Sequence, residues 1–150
     1  MDSAEQVEAH LAGLPAPRQA DLRTIHERVL AEHPGCPVSF TDGRDASGKV
    51  VTNPTIGYGE RTITHADGST RDSFRVGLTA TSRGISVYVL GLDDDTHLAR
   101  TYAPSIGRAD VTGYCIRFRR LAVVDLDVLL AAVRDGMTAG AGAPPRRPGR

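Results

Sequence analysis

Phe74-Arg75-Val76-Gly77-Leu78-Thr79, a turn at Ser82-Arg83-Gly84, then Ile85-Ser86-Val87-Tyr88-Val89: this stretch decides the fold class. In its first run Phe74, Val76 and Leu78 alternate with Arg75, Gly77 and Thr79. In its second, Ile85, Val87 and Val89 alternate with Ser86 and Tyr88. Successive side chains of a strand point to opposite faces, so each run reads as a strand with one apolar face and one polar face. The short turn between them makes the two strands antiparallel neighbours.

Working upstream, residues 55–65 read as a further strand, in which Gly57 and Gly59 signal a bulge or a close backbone approach. Val38-Ser39-Phe40 and Lys49-Val50-Val51 flank the turn-rich loop 42–48, the pattern of a hairpin. Before them lie two helices. Ser3 followed by Gln6 has capping-box spacing and starts the first at Ala4, running to about Gly13. The second spans residues 18–33, where Leu22, Ile25, Val29 and Leu30 form one buried stripe ended by Pro34-Gly35. Downstream, Asp93-Asp94-Asp95 caps a short helix reaching Tyr102, with acids at its positive end. Residues 114–118 read as a last strand. A final helix carries Leu126, Leu129, Leu130 and Val133 and is expected to stop at Gly136. Residues 137–150, dominated beyond Met137 by Ala, Gly, Pro and Arg, are expected to form a disordered tail to a single domain of residues 1–136.

Helices first, then a meander of strands, then strand and helix define the α+β class. The expected architecture is an antiparallel sheet of about five to six strands, with the N-terminal helix pair and the C-terminal helix on one face. The other face would stay open and present Arg75, Thr79, Ser86 and Tyr88, with Cys115 and Arg117 or their neighbours.

Composition narrows the function classes. The chain has 150 residues, 40% of them hydrophobic and 24% charged, which suits one globular domain with an ordinary core. Lys+Arg and Asp+Glu both number 18, so no net field draws nucleic acid or an anionic membrane. No apolar run approaches the ~20 residues of a membrane span. The opening Met1-Asp2-Ser3-Ala4-Glu5 lacks the basic and apolar regions of a signal peptide, and Cys36 and Cys115 stand far apart, so a cytoplasmic location is expected.

Several chemical motifs begin and fail. Gly43 to Lys49 spells G-x-x-x-x-G-K, but Val50 stands where a phosphate-binding loop needs a hydroxyl, and Pro54 disfavours the helix that must follow. His26-Glu27-Arg28-Val29-Leu30 starts like a zinc-protease helix. The next histidine, His33, lies ~10.5 Å further along the axis, too far for two ligands held at ~2 Å. Both histidines are expected on a solvated helix face. Asp93-Asp94-Asp95 lacks the spacing of a calcium loop. Cys115 reads as a core cysteine with no histidine placed beside it. With no nucleophile–base pair to name, the reading leans away from an enzyme and assigns no catalytic residue.

Tyr58, Tyr88, Tyr102 and Tyr114 lie among arginines in the strand-rich half. Aromatic faces beside guanidinium groups suit a small anionic or planar ligand. The expected site lies on the open face: Tyr58 and Tyr88 stack, while Arg75, Arg83 and Arg117 pair with charge. No resident cofactor is implied by these residues, and the partners expected are a small anionic or aromatic ligand, not nucleic acid or membrane, with a homodimer left open.

Ile56-Gly57-Tyr58-Gly59, Val76-Gly77-Leu78-Thr79, Ile85-Ser86-Val87-Tyr88-Val89, Ile106-Gly107-Arg108 and Cys115-Ile116 together form a pattern. Followed by Leu121 and Val124-Asp125-Leu126-Asp127-Val128-Leu129, it resembles the YdhG-like family of domains of unknown function. The likeness extends to Val7-Glu8-Ala9-His10-Leu11 and the paired helices. It implies a compact α+β domain similar in outline to frataxin. One member is proposed to be an iron chaperone, so the resemblance also implies iron binding as a second function, but it carries no ligand motif over to this chain. The exposed carboxylates read from the sequence for that role are Asp2, Glu5 and Glu8 of the first helix and those of residues 93–95. Relatives often carry Arg-Lys in the turn before the Ile-Ser-Val-Tyr strand, several lysines before the cysteine, and a tyrosine two places after it. This chain has Thr81-Ser82, then Arg83; Arg108, Asp110 and Gly113; and Arg117, so any anion site must be rebuilt from Arg83, Arg108 and Arg117.

Overall fold

A computed structural model of the chain describes residues 2–92 and 94–138, with backbone alone at positions 63, 64, 71 and 72. Two helices open it. The Asp2 carboxylate accepts from the Glu5 amide at 2.9 Å and caps α1, Ser3–Ala12. The cap is therefore Asp2, one residue before the expected Ser3, and an acid there also suits the positive end of the helix dipole. Helix α2, Ala16–Glu32, begins two residues earlier than expected because Pro17 is tolerated in a first turn. Its Leu22, Ile25 and Val29 are buried as one stripe. The Arg23 guanidinium donates to both oxygens of Glu8, at 2.8 and 2.9 Å, and ties the helices together.

Strand β1, Val38–Thr41, pairs antiparallel with β2, Thr55–Tyr58, and not with residues 49–51. Burial explains the correction. All four positions of β2 are buried, whereas Val50 and Val51 are 59% and 60% exposed. The intervening loop keeps only one bridge, Arg44 to Val50, and is shaped by the Asp45 carboxylate accepting from the Ser47 and Lys49 amides. The expected strand 55–65 is also two strands. At Gly59 the backbone enters the left-handed region, φ 76°, and the chain leaves the main sheet. Beyond it β3, Arg61–Thr64, and β4, Thr70–Ser73, form a separate hairpin.

The main sheet continues with β5, Val76–Thr81, and β6, Gly84–Val89, in the register Val76 to Val89 and Thr81 to Gly84. Helix α3, His97–Ile106, follows; Asp94 accepts from the Thr96 amide just before it, Asp95 lies in the same turn, and Asp93 lies outside the described residues. Next come β7, Asp110–Val111, and β8, Cys115–Phe118, then a 3-10 turn, Leu121–Val123. The strand order is β1-β2-β5-β6-β8-β7, antiparallel throughout. The α+β architecture expected from the alternating runs is the one observed.

The last helix, α4, is Leu126–Thr138, with the Asp125 carboxylate accepting from the amides of Asp127 and Val128. It does not stop at Gly136. A Cβ at that position would stand 2.4 Å from Val89 Cγ1, so this glycine lets the helix lie directly on β6. The expected tail beyond residue 138 lies outside the described residues.

The core sits between the helices and one sheet face, where Ile56, Tyr58, Val76, Leu78, Val87, Val89 and Ile116 are all at most 1% exposed. The opposite face carries Gly57, Gly77, Thr79, Ser86, Tyr88, Cys115 and Arg117, neighbours by register. Phe74 belongs to that second face, contrary to expectation. Its ring covers Gly57 and Gly77, where added Cβ atoms would meet it at 2.7 and 2.6 Å. The phase reverses because the chain bends at Arg75, whose carbonyl accepts from the amides of Leu90 and Gly91. Among the described residues no helix is long and apolar enough to cross a membrane.

Candidate functional site: an arginine-lined groove

Three close backbone contacts assemble one end of the sheet. At Gly84, φ 147°, a Cβ would lie 2.3 Å from the Phe118 carbonyl oxygen and 2.8 Å from Arg119 Cα, so the β5–β6 turn presses against the end of β8. Arg83 is thereby brought beside Arg119. At Gly107, φ 105°, a Cβ would lie 2.6 Å from the Val123 carbonyl oxygen; the Arg108 amide donates to that oxygen at 2.9 Å. This sets Arg108 against the 3-10 turn that follows Arg120. Finally, the Asp21 carboxylate accepts from the Leu121 amide at 3.0 Å and holds the first turns of α2, with Arg18, against the same segment.

The result is an open groove of about 1430 Å³ lined by Arg18, Arg83, Arg108, Arg117, Arg119 and Arg120. Asp110 is the one carboxylate among its lining residues. Elsewhere Arg23 pairs with Glu8, Arg28 with Glu32 and Asp127, Arg100 with Asp94, Arg134 with Glu32 and His97 with Asp135, while Arg44, Lys49 and Arg61 have no ion pair among the described residues. Among the described residues none of the six groove arginines takes part in an ion pair. A chain neutral overall thus concentrates unpaired positive charge in one depression, where a low-dielectric wall focuses the field.

A second hollow of about 580 Å³ adjoins it, sharing Thr81, Ser82, Arg83, Ser86 and Arg117. It adds Tyr88, Asn53, Thr112 and Cys115. Burial pushes the Cys115 thiol up, against the opposing pull of the Arg117 guanidinium and a hydrogen bond with Ser86. A thiol held protonated in this way behaves as a small wall group and not as a nucleophile.

Of the five positions expected to bind ligand, the structure brings Arg83, Tyr88 and Arg117 together and separates the other two. Tyr58 is fully buried on the helix-covered face, 2.6 Å from His26 Nδ1 through its hydroxyl, and burial drives its ionisation far above the ordinary range. Its side chain cannot stack a ligand on the open face. Arg75 turns to the helix side and donates from Nε to the Gly136 carbonyl at 2.9 Å. His26 is correspondingly half-buried instead of solvated, with its pKa lowered chiefly by burial. Tyr102 bonds the Asp135 carboxylate between α3 and α4, with its pKa pushed up to about 12 by burial and that bond. Tyr114 is 38% exposed.

Three of the groove arginines, Arg18, Arg119 and Arg120, are not among the positions expected to bind ligand. Arg18 belongs to a helix turn distant in sequence, and Arg120 belongs to the segment between β8 and the 3-10 turn. The adjacent pair Arg119-Arg120, placed directly after a strand, was the one local signal.

Three of the carboxylates considered for iron are engaged with protein. Asp2 caps α1, both Glu8 oxygens face Arg23, and Asp94 bonds Thr96 and pairs with Arg100. Among the described residues no group of three or more His, Cys, Asp or Glu side chains is arranged to hold a metal ion. No family model, curated protein or solved structure matches the chain.

Proposed function

We propose that the chain is a binding domain for a small anionic ligand, held in the arginine groove at the Gly84 end of the sheet. The observation that carries this reading is the set of six arginines facing one carboxylate, with no ion pair to any of them among the described residues. Guanidinium groups present rigid forks of donors that match phosphate and carboxylate oxygens two at a time. Arg83 and Arg117, expected from the alternation of the strands and their turn, line the groove, and Tyr88 lines the hollow that adjoins it. A binding module suits the lining better than a catalyst, because its residues offer arginines without a histidine or a deprotonated thiol to act as base or nucleophile.

Calorimetric titration with inorganic triphosphate at low ionic strength tests the proposal. One saturable site is expected, weakened about tenfold or more by the double change Arg119→Ala, Arg120→Ala, since each charged hydrogen bond contributes roughly 1.5–3 kcal/mol. Heat that does not saturate, or an affinity unchanged in the double variant, would sink it.

A further inference from the structure

The groove and the adjoining hollow differ in chemistry while sharing a wall. The charged side chains lining the groove are six arginines and one carboxylate. The hollow offers a ring, Tyr88, half-buried on the sheet face between Gly77 and Cys115 in register, with Asn53 at its rim. Among the described residues the Tyr88 hydroxyl and the Asn53 side-chain amide have no protein partner. This contrasts with Tyr58 and Tyr102, whose hydroxyls are bonded. An amide group supplies a donor and an acceptor side by side, the arrangement that reads the edge of a heterocyclic base. A half-buried tyrosine face accepts a planar ring by stacking. Arg83 and Arg117 stand on the boundary and line both spaces. The hollow falls inside the range of about 300–1,000 Å³ usual for small-molecule sites, and the larger groove leaves room for an extended anionic arm.

Building on the anion-binding reading above, we propose that the ligand is bipartite, a nucleoside polyphosphate in class. Its phosphates lie among Arg18, Arg108, Arg119 and Arg120, and its base lies in the hollow on Tyr88 with its edge toward Asn53. The two parts are joined across Arg83 and Arg117. This geometry distinguishes the ligand from inorganic polyphosphate, which would fill the groove and leave the hollow empty.

The test compares ATP with inorganic triphosphate on the full chain by calorimetry. ATP is expected to bind about tenfold more tightly, the increment that stacking of one base supplies. Tyr88→Ala should bring ATP down to the affinity of triphosphate while leaving triphosphate binding unchanged. Tyr88→Phe keeps the ring and should keep the preference, which guards against a folding defect in the alanine variant. Equal affinities for ATP and triphosphate in the unaltered chain would overturn the base site and leave the anion groove standing. A decamer of deoxythymidine binding more than about a hundredfold tighter than ATP would also overturn it, because the surface would then track a nucleic-acid backbone. Binding of neither ATP nor triphosphate would remove the anion-binding reading and the base site together.

Discussion

The two faces of the sheet treat the same residue types in opposite ways. On the helix-covered face, Arg75 donates to the Gly136 carbonyl, and Tyr58, paired in register with Val76, is closed inside the core against His26. On the opposite face and at its turn, Arg83 and Arg117 have no carboxylate partner among the described residues, and the Tyr88 ring lines the second hollow. An arginine or tyrosine in a strand therefore says little about function until its surroundings are known. On one face helices α2 and α4 cover the sheet and engage polar groups structurally. On the other, Tyr88 of β6 and Arg117 of β8 line the hollow, the hydroxyl unbonded to protein and the guanidinium without an ion pair among the described residues.

That contrast breaks most severely at Gly84. Gly84→Ala puts a Cβ against the Phe118 carbonyl in a backbone conformation that side chains rarely adopt. A destabilisation of about 3 kcal/mol or more is expected in urea unfolding, with the groove opened between Arg83 and Arg119. An unchanged unfolding midpoint would show that the turn does not press on β8 as described.

The tyrosines sharpen it next. Tyr58→Phe leaves His26 Nδ1 without its partner in a half-buried site and should cost about 1–2 kcal/mol. Tyr88→Phe, which breaks no hydrogen bond to protein among the described residues, should stay within about 0.5 kcal/mol. Equal losses would mean that the two hydroxyls are not differently employed.

The smallest effect is a pH dependence. Burial lowers the pKa of both His26 and His10 in the folded chain. The unfolded chain then binds more protons below its own histidine pKa of about 6.5, so stability is lost as pH falls from there through the folded values. Carboxylates such as Asp45, Asp67 and Asp94, with lowered pKa values, add their own losses at more acid pH. Between about pH 6.5 and 5 the slope should flatten in His26→Gln. A slope unaltered by that change would remove His26 from the account.

The fold class was legible because β5 and β6 alternate over several residues, and that period survives in the register between them. Elsewhere local patterns misled for identifiable reasons. Val50 and Val51 look like a strand, yet β2 wins the pairing with β1 because its positions are buried on both faces. Gly136 looks like a helix terminator, yet it marks contact between α4 and Val89. Phe74 and Arg75 follow the alternation of the next strand on paper, but a bend between β4 and β5 inverts them. Half of the candidate site was legible for the same reason as the fold: Arg83, Tyr88 and Arg117 follow from the alternating strands and their turn. Arg18, Arg119 and Arg120 do not, since tertiary contacts assemble them into the groove.

One of those contacts, from Asp21 to Leu121, spans a hundred positions of the chain. It marks a seam between the opening helices and the closing segment, and the groove runs across that seam. An anion seated between Arg18 and the Arg119-Arg120 pair would act there as a non-covalent staple, joining helix α2 to the segment that follows β8. Occupancy and cooperativity of folding are then linked quantities, because any ligand that prefers the closed seam raises the cost of parting its two sides.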